Sequence, residues 1–311
     1  MASLKEIKNR IASVKNTLKI TSVMKMVASA KLHKAQSAIG NKLPYEQKLH
    51  KMLSGMLQDD DLQKALQSEL GFGGNDRSPV TLQDTSIDAI PDKEDVSRVA
   101  VVVFSSNSSL IGAFNANVIK KFNEAMRQLA GNGYTPEDID IYAVGRKIAE
   151  SVKRDGYRSY KELPDLSDKP DYEKASGLAY ELVERFSFGE VGQVILIYNH
   201  FASMSSQPSV RENYLPLALN DYNESAEPVD YILEPDPISL VKDLLPLVLT
   251  LKIYTVALDA SAAEHAARTV AMQVASDNAT DLISELTLLY NKGRQQAITA
   301  EILDLVGGMQ D

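Results

Sequence analysis

Lys292, Arg294, Gln295 and Gln296 interrupt an otherwise apolar helical pattern in SELTLLYNKGRQQAITAEILDL, residues 284–305. A guanidinium there is suited to pairing with carboxylates. Other candidates for chemistry are weaker. The four histidines, His33, His50, His200 and His265, are far apart and lack metal-ligand spacing. The chain has no cysteine, which excludes disulfides, thiolate metal sites and cysteine catalysis. VVVFSSNSSLIGAFN and AVGRK place a turn before a helix N-terminus, the right context for a phosphate. Each has one glycine and no Lys-Ser/Thr, so a plain strand-to-helix turn is the stronger reading. There is no G-x-S-x-G elbow, and Asp59, Asp60 and Asp61 read as a solvated loop. No catalytic, cofactor-binding or metal-binding residue is assigned.

The elements that must position the polar patch are long. Alternate steps of three and four from Leu4 reach Ile7, Ile11, Val14, Leu18, Thr21, Lys25, Ala28, Leu32, Ala35 and Ile39. Only Thr21 and Lys25 break an apolar heptad seam, the mark of a coiled coil about 55 Å long. Gly40 and Pro44 are expected to end or bend it. Residues 1–52 carry 11 basic side chains against two acidic ones, Glu6 and Glu46, although the whole chain has net charge −9. That asymmetry suggests an acidic partner for the basic arm, with a solvated helix face as the alternative. The opening MASLKEIKNR lacks the apolar middle of a signal peptide, and no run approaches a membrane span, so a cytosolic chain is expected.

Residues 58–98 are polar and glycine-rich, and read as a short helix and an exposed loop. From Val99 strands and helices alternate: VAVVVF, IDIYAVG and QVILIYN are strands, with PSVRENYLPL a further edge strand. A layered Rossmann-like α/β domain follows. The last helix starts near Pro237 and is expected to kink at Pro246. Its seam is read as Ala263, Ala267, Val270 and Val274, then, after a one-residue phase slip, Ala275, Ala279, Leu282, Leu286, Leu289 and Gly293. Ile298, Ile302 and Leu305 resume it. Residues 247–306 would span roughly 90 Å, so this helix needs a long partner, and its end must outrun the N-terminal one. The domains are read as 1–57 N-terminal helix, 58–96 polar insertion, 97–220 α/β domain and 221–311 C-terminal helix.

RIASVKNTLKITSVMKMVASAKL, IGAFN, YNHFASMSSQ, LEPDP, AAEHAARTVAMQVASDNATDLI and LTLLYNKGRQQAITAEILDLVGG resemble, in this order, the γ subunit of bacterial F-type ATP synthase. The resemblance implies an antiparallel coiled coil of the two chain ends inside a ring of α and β subunits. It implies a central domain resting, with the ε subunit, on a c-ring. The shaft would turn with the c-ring and drive the β subunits through their nucleotide states without bond chemistry of its own. It implies a peripheral place at the cytoplasmic face of the inner membrane, and no nucleic acid or cofactor.

Residue by residue, the resemblance puts Met24, Lys25, Arg268, Arg294, Gln295 and Thr299 against β. It puts Gln207, Arg211, Glu212 and Tyr214, within QPSVRENYLPL, at the foot toward ε and the c-ring. A seam break at Thr21 and Lys25 fits a contact outside the helix pair. The chain departs from the pattern with NSSLIGAFN, with LLPLVL, and with Gly293, which costs about 1 kcal/mol of helix propensity against alanine. An α/β enzyme with helical arms and a static coiled-coil adaptor are the alternative readings.

Overall fold

The computed structural model describes residues 3–56, 80–81, 98–218 and 236–307. The chain forms two compact units, one of Met1–Ala30 with Arg268–Asp311 and one of Lys31–Ala267. Two helices contribute to both: α1 (Leu4–Met56) and α6 (Pro237–Gly307). The polar insertion read at 58–96 lies outside the described residues except for β1 (Val80–Thr81).

The larger unit is built on a five-stranded sheet. Its strands are β2 (Val99–Phe104), β3 (Ile139–Val144), β4 (Ser159–Glu162), β5 (Gln193–Asn199) and β6 (Ser209–Leu215). The order is β4-β3-β2-β5-β6, parallel except that β6 runs antiparallel to β5. Every residue of β2 is buried because both sheet faces are covered. Val99, Val101 and Val103 meet α2 (Phe114–Gly131) and α3 (Arg146–Arg154) through Val118, Phe122 and Ile148. Ala100, Val102 and Phe104 join the opposite core, formed with α5 (Tyr172–Ser187), the end of α1 and the start of α6. β1 pairs in parallel with β7 (Leu217–Ala218).

Several short elements escaped the sequence reading, among them β4 and one helical turn. β4, with sequence SYKE, is exposed along most of its length and has no apolar alternation. It is held as an edge by pairing with β3 and by Tyr160, which stacks under the Arg185 guanidinium at 4.3 Å. The helix α4 (Pro164–Asp168) is a single proline-started turn.

α1 does not end at Gly40 or Pro44; it continues to Met56. Proline inside a helix costs about 3 kcal/mol. Downstream, Leu49, Leu53 and Met56 are buried in the sheet core, and each such side chain contributes about 1.5–3 kcal/mol. Burial therefore overrides the breaker. Pro246 likewise lies inside an unbroken α6, flanked by buried Leu245, Val248 and Leu249. α6 starts where Asp236 accepts hydrogen bonds from Ser239 N at 2.9 Å and Ser239 Oγ at 2.6 Å, with Pro237 at the first helical position.

In the smaller unit the heptad read on α1 holds. Leu4, Ile7, Ile11, Val14 and Leu18 are half-buried, and Thr21 and Ala28 are buried. The facing seam differs from the sequence reading. Thr269, Met272, Ser276, Ala279 and Leu286 are buried, whereas Val270 and Val274 are exposed. With half-buried Ile283, Tyr290 and Gly293, the steps alternate between three and four throughout, so no phase slip occurs. Valine is the more apolar residue, but helical phase decides which side chain faces the partner.

Candidate partner-binding surfaces

Contacts within the smaller unit set its register. A Cβ on Gly293 would lie 3.1 Å from Leu4 Cδ2, and Thr21 Oγ1 lies 2.8 Å from Ser276 Oγ. Leu4 to Thr21 and Ser276 to Gly293 are equal separations in opposite directions, so both contacts belong to one antiparallel pairing. Gly293 sits where the α6 backbone passes close to Leu4, so a side chain there would press on the leucine.

Pairing stops there. Every residue from Arg294 to Leu303 is exposed. This stretch carries Ile298, Ile302 and Leu303 in the open along with Arg294, Gln295 and Thr299. Thr299 Oγ1 donates to Gln295 O at 2.9 Å, a bond along the helix that leaves both residues outward. A lone helix of this length is marginal in water. Its apolar side chains have no cover among the described residues, which marks a surface made to be enclosed.

A second uncovered area lies nearer the middle of the same unit. Ile20, Val23, Met26 and Val27 on α1 are all more than half exposed, Met26 at 72%. The antiparallel register puts Val23 level with Val274 and Val27 level with Val270. Half-buried Met24, Lys25 and Arg268 fall in the same band, within about one and a half helical turns. Thr21 does not belong to this outward group: it is buried and bonded to Ser276. The sequence reading missed the four apolar side chains on α1. Their signal was present, since Ile20, Val23 and Val27 recur at helical spacing just off the seam.

The foot residues lie in the larger unit and divide. Gln207 Nε2 donates to Ser203 O and Met204 O, both at 2.9 Å, and closes its own exposed turn. Arg211, half-buried, bonds to Gln128 of α2. Glu212 faces Lys252 of α6 at 3.3 Å. Tyr214 is 1% exposed, with its hydroxyl donating to Leu249 O at 3.0 Å. Its side chain is core and cannot itself present to a partner, which corrects its inclusion among the outward residues.

The AVGRK turn is closed by the chain itself. Asn107 Oδ1, Ser106 O and Ser105 Oγ accept from the backbone N–H groups of Arg146, Lys147 and Ile148, at 3.0, 3.1 and 3.0 Å. The groups at the start of α3 that would cradle an anion are already occupied. Gly145 has φ 103°, and a Cβ there would sit 2.3 Å from Ser105 O, so this turn requires glycine. Between the carboxyl ends of β2 and β5, where the sheet order reverses, a ligand crevice is the general expectation. Here Ile111, Phe114 and Ala263 fill a core with Phe201, and Asn199 Nδ2 donates to Phe114 O at 3.0 Å.

The fold and its uncovered apolar helix surfaces define a subunit shaped for insertion into a larger assembly. A family model described as ATP synthase matches residues 3–310. ATP synthase gamma chains of Phocaeicola vulgatus and Bacteroides thetaiotaomicron are 48% and 49% identical, each over 99% of this chain and 99% of their own length. A chain in the rotational-state-3 structure of Euglena gracilis mitochondrial ATP synthase (OSCP/F1/c-ring) shares the fold. Its TM-score is 0.63 at 19% identity, over 99% of this chain and 93% of that one. The chain belongs to the ATP synthase gamma-chain family.

Proposed function

We propose that this chain is the central rotor shaft of a bacterial F-type ATP synthase. Its paired helices sit inside the ring of α and β subunits, and the α/β domain stands with ε on the c-ring. Ion flow turns the c-ring and the shaft with it. Each β subunit then meets a different face of an asymmetric rod, which shifts its open and closed populations in turn. The chain carries no bond chemistry and is peripheral to the membrane, at its cytoplasmic face, through the complex.

One observation carries this reading: α6 outruns its partner at Gly293 and continues as a solitary helix that exposes Ile298, Ile302 and Leu303. Arg294, Gln295 and Thr299 are assigned to a β contact at that end, and Met24, Lys25 and Arg268 to a β contact lower on the rod. Gln207, Arg211 and Glu212 are assigned to the foot. The test is the double substitution Arg294→Ala and Gln295→Ala in membranes holding the whole complex. ATP synthesis is expected to fall while the α/β domain stays folded; unchanged synthesis would overturn the assignment.

A further inference from the structure

The hairpin of β5 and β6 lies between the foot residues and the long helix. Its tip is closed by its own backbone: His200 N donates to Pro208 O at 2.9 Å, and Ser203 N donates to Ser206 O at 3.1 Å. Arg211 and Glu212, assigned above to the foot, lie on β6. The same hairpin is tied to α6 at successive levels. The Tyr214 hydroxyl donates to Leu249 O at 3.0 Å, and Glu212 Oε1 stands 3.3 Å from Lys252 Nζ. Further along, Asp259 accepts twice, from Phe201 N at 3.0 Å through Oδ1 and from His200 Nδ1 at 2.6 Å through Oδ2. The Phe201 ring packs on Leu32, Ala262 and Ala266, where α1 meets α6. Leu249 to Asp259 covers about 15 Å of helix.

We propose that the β5–β6 hairpin is the lever through which the foot turns the shaft, and that Asp259 is the positioning residue that locks this lever to α6. The proposal rests on the rotor reading above. Apolar packing holds the domain against α6 but is non-directional. Directed bonds fix angle and register as well. Asp259 is suited to that task because its carboxylate is only 13% exposed, and hydrogen bonds to a carboxylate are shorter and stronger than neutral ones. Its two oxygens grip consecutive residues, so the group cannot pivot without breaking a bond. A load on β6 therefore reaches α6 at Leu249, Lys252 and Asp259 together, and the Asp259 tie lies farthest along the helix.

The experiment uses the whole complex, fixed to a surface through its α and β subunits, with a probe on α5 at Glu173→Cys. The angular variance of the probe in the pauses between steps, at limiting ATP, reads the torsional stiffness between the ring and the α/β domain. Asp259→Ala is expected to widen that variance while ATP hydrolysis keeps the wild-type rate. Asn107→Ala, whose lost bonds run to Arg146 N and Pro164 O rather than to α6, is expected to leave it unchanged. An unchanged variance in Asp259→Ala, or equal widening in Asn107→Ala, would overturn the lever while leaving the rotor reading intact. If Asp259→Ala does not assemble, His200→Ala decides: it removes one of the two bonds and should widen the variance, and an unchanged variance would overturn the proposal. A wild-type probe that never turns would overturn the rotor reading and the lever with it.

Discussion

Thr21 Oγ1 and Ser276 Oγ face each other at 2.8 Å inside the seam between α1 and α6. Each hydroxyl answers the other's polarity, so a position that looks like a break in the heptad is a matched pair. Thr21 also reaches back to Leu18 O at 3.1 Å. Replacing Ser276 with alanine strands the buried threonine hydroxyl on its local bond and should destabilise the pair by about 1 kcal/mol. The double change Thr21→Val with Ser276→Ala should recover most of that loss, since removing both partners spares the desolvation of an orphan. Urea unfolding of the four-member cycle measures the coupling; additive losses would contradict the pairing.

Gly293 tests the end of the pairing. Alanine there gains about 1 kcal/mol of helix propensity, but its Cβ would press on Leu4 Cδ2 at 3.1 Å. The two effects oppose, so Gly293→Ala alone should change stability by less than about 0.5 kcal/mol. In a Leu4→Ala background the contact is gone, and the same substitution should recover the full propensity gain of about 1 kcal/mol. Thermal unfolding of the pair of backgrounds reads the difference.

Gly145 forms the tight turn between β3 and α3. Its φ of 103° and the 2.3 Å approach of a Cβ to Ser105 O leave alanine no place without moving backbone. Gly145→Ala should lose about 3 kcal/mol or more, or fail to fold. Asn107→Ala, which removes the bonds to Arg146 N and Pro164 O, should lose only about 1–2 kcal/mol. Denaturant midpoints of the two variants should therefore differ clearly, and comparable losses would argue against glycine as the requirement.

Tyr214 separates core from foot. Tyr214→Phe keeps the ring and removes the bond to Leu249 O, so stability should fall by about 1 kcal/mol. Binding of ε to the complex should be unaffected, because the side chain is enclosed. A loss of ε without a loss of stability would return Tyr214 to the interface.

What was legible in the sequence followed from periodicity. The α1 seam could be read because apolar side chains recur there with few competitors. α6 was harder: valines at 270 and 274 outrank Thr269 and Ser276 in hydropathy, and only the facing residue Thr21 explains why a serine is buried. The solitary end of α6 could be anticipated from unequal helix lengths. The uncovered Ile20, Val23, Met26 and Val27 were not, because an apolar residue beside a seam looks like part of it. β4 was missed because pairing to β3 and stacking on Arg185, neither of them local, hold an otherwise polar segment in a strand. The closed turn at the start of α3 depended on contacts such as that between Asn107 and Arg146, which lie far apart in the chain.

Rotation itself is the most direct test. The sequence contains no cysteine, so Glu173→Cys, at an exposed position on α5, takes a single probe. With the complex fixed to a surface through its α and β subunits, the probe should turn in one direction in discrete steps when ATP is supplied. A probe that stays still while the same complexes hydrolyse ATP would contradict the rotor account.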